Sequence, residues 1–169
     1  MSAFENLTSR AAAVVNDAFG LALERDDAFV TPEHVLHVLI NPKEKTDVSC
    51  CLGLIEMVNP GAFAYQWDAW ERSGVIEPRR HDDTTPWTLS PEEHPRLARV
   101  LEFAFEEARY RTFLPGNKAG VEQLLVAITR EGGAAGRFLN GHELYYDGLR
   151  ASLYGDRSAS VLSSEVAPV

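Results

Sequence analysis

The sequence repeats itself. Moving 86 residues along the chain carries Ala11, Val14, Val15, Ala18 and Ala22 onto Leu97, Val100, Leu101, Ala104 and Ala108. Five small or apolar positions thus return as five small or apolar positions, at steps of three and four that share one helical face. Arg10 falls on Arg96 in the same register. A loop three residues longer in the second copy changes the shift to 89, and Glu33, Leu36 and Leu39 then fall on Glu122, Leu125 and Ile128. Repetition at this scale constrains architecture more than any local pattern, because whatever one half builds the other must build too.

The first copy reads as four helices. Thr8 supplies a cap for a helix running to about Arg25, where the polar run Glu24-Arg25-Asp26-Asp27 breaks the pattern. Thr31-Pro32 is a cap followed by a first-turn proline, Val35, Leu36, Leu39 and Ile40 form the apolar stripe, and Asn41-Pro42 closes it. A third helix is expected over Val48–Met57 with Cys50, Cys51, Leu54 and Ile55 inward. A fourth opens at Asn59-Pro60, buries Phe63, Trp67 and Trp70, and stops at Gly74. In the second copy Ala134, Ala135, Phe138 and Leu139 suggest the third helix, and Leu144, Tyr145, Leu149 and Leu153 the fourth. No β-alternation of useful length occurs. The expected fold is all-α: two tandem four-helix repeats related by pseudo-twofold symmetry, about eight helices in one globule. Repeat one spans 4–74, a Pro- and charge-rich linker 75–93, and repeat two 94–155. A flexible tail is expected over 156–169, rich in Ser, Ala and Val.

Charge narrows the partners. Sixteen Lys and Arg against twenty-five Asp and Glu leave a formal charge of −9, and Arg79-Arg80 runs straight into His81-Asp82-Asp83. A phosphate backbone needs a basic face that releases counterions, so no nucleic acid is expected. No apolar run approaches the ~18 residues of a membrane span, and Met1–Asn6 lacks the basic-then-apolar layout of a signal peptide. The only cysteines, Cys50 and Cys51, are adjacent and unsuited to stapling distant segments. A cytoplasmic location and no membrane partner are expected.

The sequence of elements, helix, polar loop, Thr-x-Glu-His and a Leu-rich helix, occurring twice, resembles the N-terminal domain of Clp-type AAA+ unfoldases. Leu7-Thr8-Ser9-Arg10-Ala11 and Thr31-Pro32-Glu33-His34-Val35-Leu36 carry it in the first copy. Pro95-Arg96-Leu97-Ala98, Phe105-Glu106-Glu107-Ala108-Arg109 and Val121-Glu122-Gln123-Leu124-Leu125 carry it in the second, with Gly120 and Gln123 where the pattern has Thr and His. The resemblance covers roughly 4–155. It implies a non-catalytic module that receives substrate proteins, adaptors or a Clp unfoldase. In some members the motif glutamates help hold phosphoarginine, which carries over here to Glu33 and Glu122, with Thr31 and Val121 at the helix starts facing the phosphate. The nearest approach to a phosphate loop, Gly116-Asn117-Lys118, lacks the GxxxxGK[ST] layout, and no nucleotide or other cofactor is expected.

Plainer explanations exist for each candidate. A glutamate in a helix first turn is favoured by the helix dipole without any ligand. His34 and His37 are spaced HxxH but have neither HExxH nor a clear third ligand, so metal is not expected. Phe63, Trp67 and Trp70 read first as core. No GxSxG nucleophile motif is present. A different class of function, a small-molecule-binding or sequestering helical protein with its ligand between the repeats, stays open.

Overall fold

The computed structural model describes residues 3–78, 90–110 and 118–154. The sequence-expected tail, most of the linker including Trp87, and the loop holding Gly116-Asn117 lie outside the described residues. Eight α-helices are present among those described: α1 (Ser9–Glu24), α2 (Pro32–Ile40), α3 (Asp47–Val58), α4 (Ala62–Arg72), α5 (Pro95–Tyr110), α6 (Val121–Glu131), α7 (Ala134–Gly141) and α8 (Tyr146–Tyr154). A 3-10 turn over Ala3–Asn6 precedes α1.

The repeat positions do what their spacing requires. Ala11, Val14, Val15, Ala18 and Ala22 are buried, and so are Leu97, Val100, Leu101, Ala104 and Ala108. Small residues on these stripes let α2 close on α1 and α6 on α5. Helix α6 lies deepest, with every residue from Gln123 to Thr129 buried between α5, α7, α8 and the first repeat. Leu36, Leu39, Leu52, Leu124, Leu125 and Ile128 complete one continuous core shared by both halves.

Two short parallel ladders lock the halves together, and they are reciprocal. Strands β1 (Phe29–Val30) and β2 (Glu92–Glu93) pair in parallel, with His94 N donating to Val30 O at 3.0 Å. On the other side Leu7 bridges Ala119, with Thr8 N donating to Ala119 O at 2.9 Å. The segment leading into the first helix of each repeat therefore bonds to the segment leading into the second helix of the other. The all-α expectation holds, and this exchange adds only a two-residue strand pair and a single bridge to it. Such short pairings satisfy backbone N–H and C=O groups of the segments that lead into the helices, and they are too short to leave an alternating pattern.

Other boundaries also differ. Helix α4 begins at Ala62, not Asn59, because the Glu56 carboxylate takes Gly61 N and Phe63 N at 2.9 Å each and fixes Gly61 at φ 79°. On α3 the inward residues are Val48, Leu52 and Ile55, whereas Cys50 is exposed and Leu54 is 59% exposed. The helix meets α2, α4 and α6 along that narrower stripe. The linker is tied down at both ends, by buried Ile76 and Pro91 and by the Asp27–Pro78 bridge.

Gly136 marks the closest approach of α7 to α6, since a Cβ there would stand 2.8 Å from Ile128 O. Gly136→Ala is expected to cost about 1–3 kcal/mol through backbone displacement. Gly53→Ala, in the open on α3 with nothing within 4 Å, should instead stabilise by roughly 0.5–1 kcal/mol. Urea unfolding midpoints of the two variants check the pair.

Candidate functional site

The reciprocal ladders set helix starts side by side, α2 against α5 and α6 against α1. The candidate residues sit at these two junctions, and the chain treats them differently.

At the first junction Glu33 is fully buried. Its Oε1 accepts from Arg96 Nη2 at 2.8 Å and from Ala135 N at 3.2 Å, while Oε2 lies 3.4 Å from Arg96 Nη1. Arg96 also reaches Glu131 through Nε–H at 3.0 Å. Gly133 N in turn donates to Glu131 Oε2 at 2.8 Å. One guanidinium thus serves two carboxylates with its planar fork. Burial works against the Arg96 charge, but its hydrogen bonds to Glu131 and Glu33 and their charges outweigh that and raise its pKa above the ordinary arginine value. Thr31, at the cap position, is 2% exposed. In this arrangement the guanidinium beside Glu33 comes from the chain itself.

At the second junction no arginine fills the same register among the described residues. Glu122 is half-buried at the start of α6, with no ion pair among the described residues. Val121, just before it, is buried. The position equivalent to Arg96 is Arg10, which turns outward to Glu44 at 3.7 Å with more than half of its side chain exposed. The position equivalent to Glu131 is Pro42, so the carboxylate that anchors Arg96 has no counterpart in the first repeat. Sequence reasoning found Arg10 and Arg96 as a repeat pair but not the buried cluster. The signal was Glu131 and Gly133, neither of which has a counterpart with the same chemistry in the first repeat.

The motif's fourth residue has a plain structural task in both copies. His34 Nδ1 accepts from Thr31 N at 3.1 Å, and Gln123 Oε1 accepts from Gly120 N at 2.8 Å. Glutamine thereby replaces histidine without loss of the reciprocal helix-start bond. Gly120 sits at φ −96°, where any residue fits, and a Cβ there would meet Glu122 Oε2 at 2.7 Å. The Glu122 side chain fills the space that a threonine would need.

His34 is fully buried, and its Nε2 lies 2.8 Å from Asp27 Oδ2. Thr31 Oγ1 is 2.9 Å from Nδ1, so a hydroxyl, an imidazole and a carboxylate stand in line. The hydroxyl has no open approach, and the chain of bonds satisfies buried polar atoms. His37 is half-buried between Phe63 and Trp67, and its pKa is lowered by burial first, then by the Arg25 charge and by His34. Among the described residues no three His, Cys, Asp or Glu side chains gather as metal ligands would. Phe63, Trp67 and Trp70 are buried, and Phe63 and Trp70 meet Phe138 of α7 edge-on at 5.6 and 6.0 Å, joining the two repeats.

No family model and no curated protein sequence matches the chain. Among solved structures it is similar to the N-terminal domain of the caseinolytic protease associated chaperone ClpD from Arabidopsis thaliana. The TM-score is 0.57 at 20% identity, over 90% of this chain and 97% of that one. The fold is that of a Clp N-terminal domain. At this identity the likeness is one of backbone arrangement, and it spans both repeats.

Two outcomes follow for the buried groups. Arg96→Ala leaves Glu33 buried without its cation and should cost roughly 3–5 kcal/mol, nearer the lower figure because Arg96 is 29% exposed. Arg10→Ala should shift stability by less than about 1 kcal/mol; thermal and urea melts compare them. For His37, a folded pKa below the unfolded value of about 6.5 means that the unfolded state binds the proton first as pH falls. Stability is therefore lost below about pH 6.5, and His37→Phe should flatten the slope of unfolding free energy between pH 7.5 and 5.5.

Proposed function

We propose that this chain is a non-catalytic protein-recognition module of Clp N-domain type, acting in the cytoplasm on substrate proteins, adaptors or a Clp unfoldase in protein quality control. The observation that carries the proposal is the shared fold, which takes in almost the whole N-terminal domain of a protease-associated chaperone. The half-buried Glu122 supports it, as a carboxylate placed at a helix start with no ion pair among the described residues.

The ligand chemistry proposed at Glu122 is a phosphorylated arginine side chain. Glu33 supports this by analogy within the chain, because the equivalent carboxylate already takes a guanidinium through two nitrogen atoms. The α6 start beside Val121 offers N–H groups not used within the helix, suited to the phosphate oxygens. At the other junction Thr31 and Glu33 would take such a ligand only after Arg96 withdrew. One working site per chain is therefore expected rather than two.

Isothermal titration with arginine-phosphorylated casein, and with the same casein after phosphatase treatment, tests both levels. The phosphorylated form should bind at one site per chain and at least tenfold more tightly, and Glu122→Ala should remove the preference without lowering the melting temperature. Equal binding of the two caseins would discard the glutamate assignment. Binding of neither would count against the protein-recognition proposal itself.

A further inference from the structure

A cleft of about 450 Å³ lies between α4 and α7, on the seam of the two repeats, and neither Glu33 nor Glu122 lines it. Its floor is aromatic, made by Trp70 and Phe138. Its walls carry Tyr65 and Gln66 from α4 and Arg137 and His142 from α7 and its end. Two features set it apart from the rest of a chain with formal charge −9. No Asp or Glu lines it. Arg137 is exposed and has no ion pair or hydrogen-bond partner for its side chain among the described residues.

Two acids on the neighbouring elements, Glu56 and Glu71, are engaged elsewhere. Glu56 is turned into the start of α4, where it takes Gly61 N and Phe63 N. Glu71 faces the opposite side of α4, paired with Arg25 and accepting from Trp67 Nε1 at 2.8 Å. An unpaired guanidinium at the mouth of an aromatic-floored cleft suits a carboxylate attached to something apolar. The surface does not end with the cleft. Met57 and Val58, immediately before the lining residue Asn59, are 78% and 87% exposed, and Tyr65 is 71% exposed. An occupant that covers these residues as well is longer than a single small molecule.

We propose that the α4–α7 cleft is a docking site for an acidic peptide segment of a partner protein, with an Asp or Glu on Arg137 and an apolar side chain over Trp70 and Phe138. Gln66 and Tyr65 supply polar contacts for the segment's backbone. The inference rests on the protein-recognition proposal but not on the phosphoarginine assignment, because the cleft shares no residue with the Glu122 junction.

The test is fluorescence polarisation with a labelled hexapeptide holding four acidic residues, one Leu and one Phe. Its counterparts are the Asn/Gln and the Lys versions, and free phenylacetate serves as competitor. The acidic peptide should bind at least tenfold more tightly than either counterpart. Arg137→Glu should abolish binding, and Arg137→Lys should keep part of it. Both are surface changes, and unchanged melting temperatures will show the fold intact. Equal affinity for acidic and Lys peptides, or full affinity in Arg137→Glu, would overturn the proposal. So would displacement by phenylacetate at the peptide's own concentration, which would make the cleft a small-molecule site. If casein binds but the acidic peptide does not, the cleft assignment fails alone, whereas loss of both would remove the protein-recognition proposal beneath it.

Discussion

The arrangement depends on one shared cation. Glu33 could not remain fully buried without a partner, because an isolated carboxylate in a low-dielectric interior costs many kcal/mol. Arg96 comes from the other repeat and is anchored on its far side by Glu131. It neutralises one of two carboxylates and hydrogen-bonds both, while Ala135 N and Gly133 N supply the remaining donors. The cluster thus gathers the starts of α2, α5 and α7 and the end of α6 around one point. Such a group need not add stability over an apolar substitute. What it does favour is one register of the halves, the one in which Arg96 reaches both Glu33 and Glu131.

The same cluster breaks the symmetry that the repeat creates. The repeat has an arginine at position 10 and another at position 96, each in the first turn of the first helix of its half. Only one of them is drawn inward. The difference lies one helix away, where Glu131 stands in the second copy and Pro42 in the first. The two equivalent positions therefore differ, one closed by the chain's own guanidinium and one with a half-buried glutamate that has no ion pair among the described residues.

Much of the fold was legible because helices declare themselves by period. The stripes on α1, α2, α5 and α6 needed only the three-and-four spacing and the caps, and the ten repeat-matched positions are all buried. Less was legible where neighbours decide. Cys50 and Leu54 carry the same apolar character as Leu52 and Ile55, and only the angle at which α3 lies on the body separates outside from inside. The start of α4 was set by Glu56, a side chain of another helix. The candidate site shows the same divide. Glu33, Glu122, Thr31 and Val121 could be placed at helix starts from sequence, yet which carboxylate is shut depended on Glu131, which no motif contains.

The crossed ladders carry a consequence for how this molecule can be divided. Val30 and Ala119 each take an N–H from a segment of the opposite half, so neither four-helix unit holds its own lead-in strand. Severed in the linker, the pieces would be complementary fragments, each a template for the other, with every reason to find one another again. A single unit on its own would most readily satisfy those exposed backbone groups by swapping with a twin, rebuilding the original body from two identical parts.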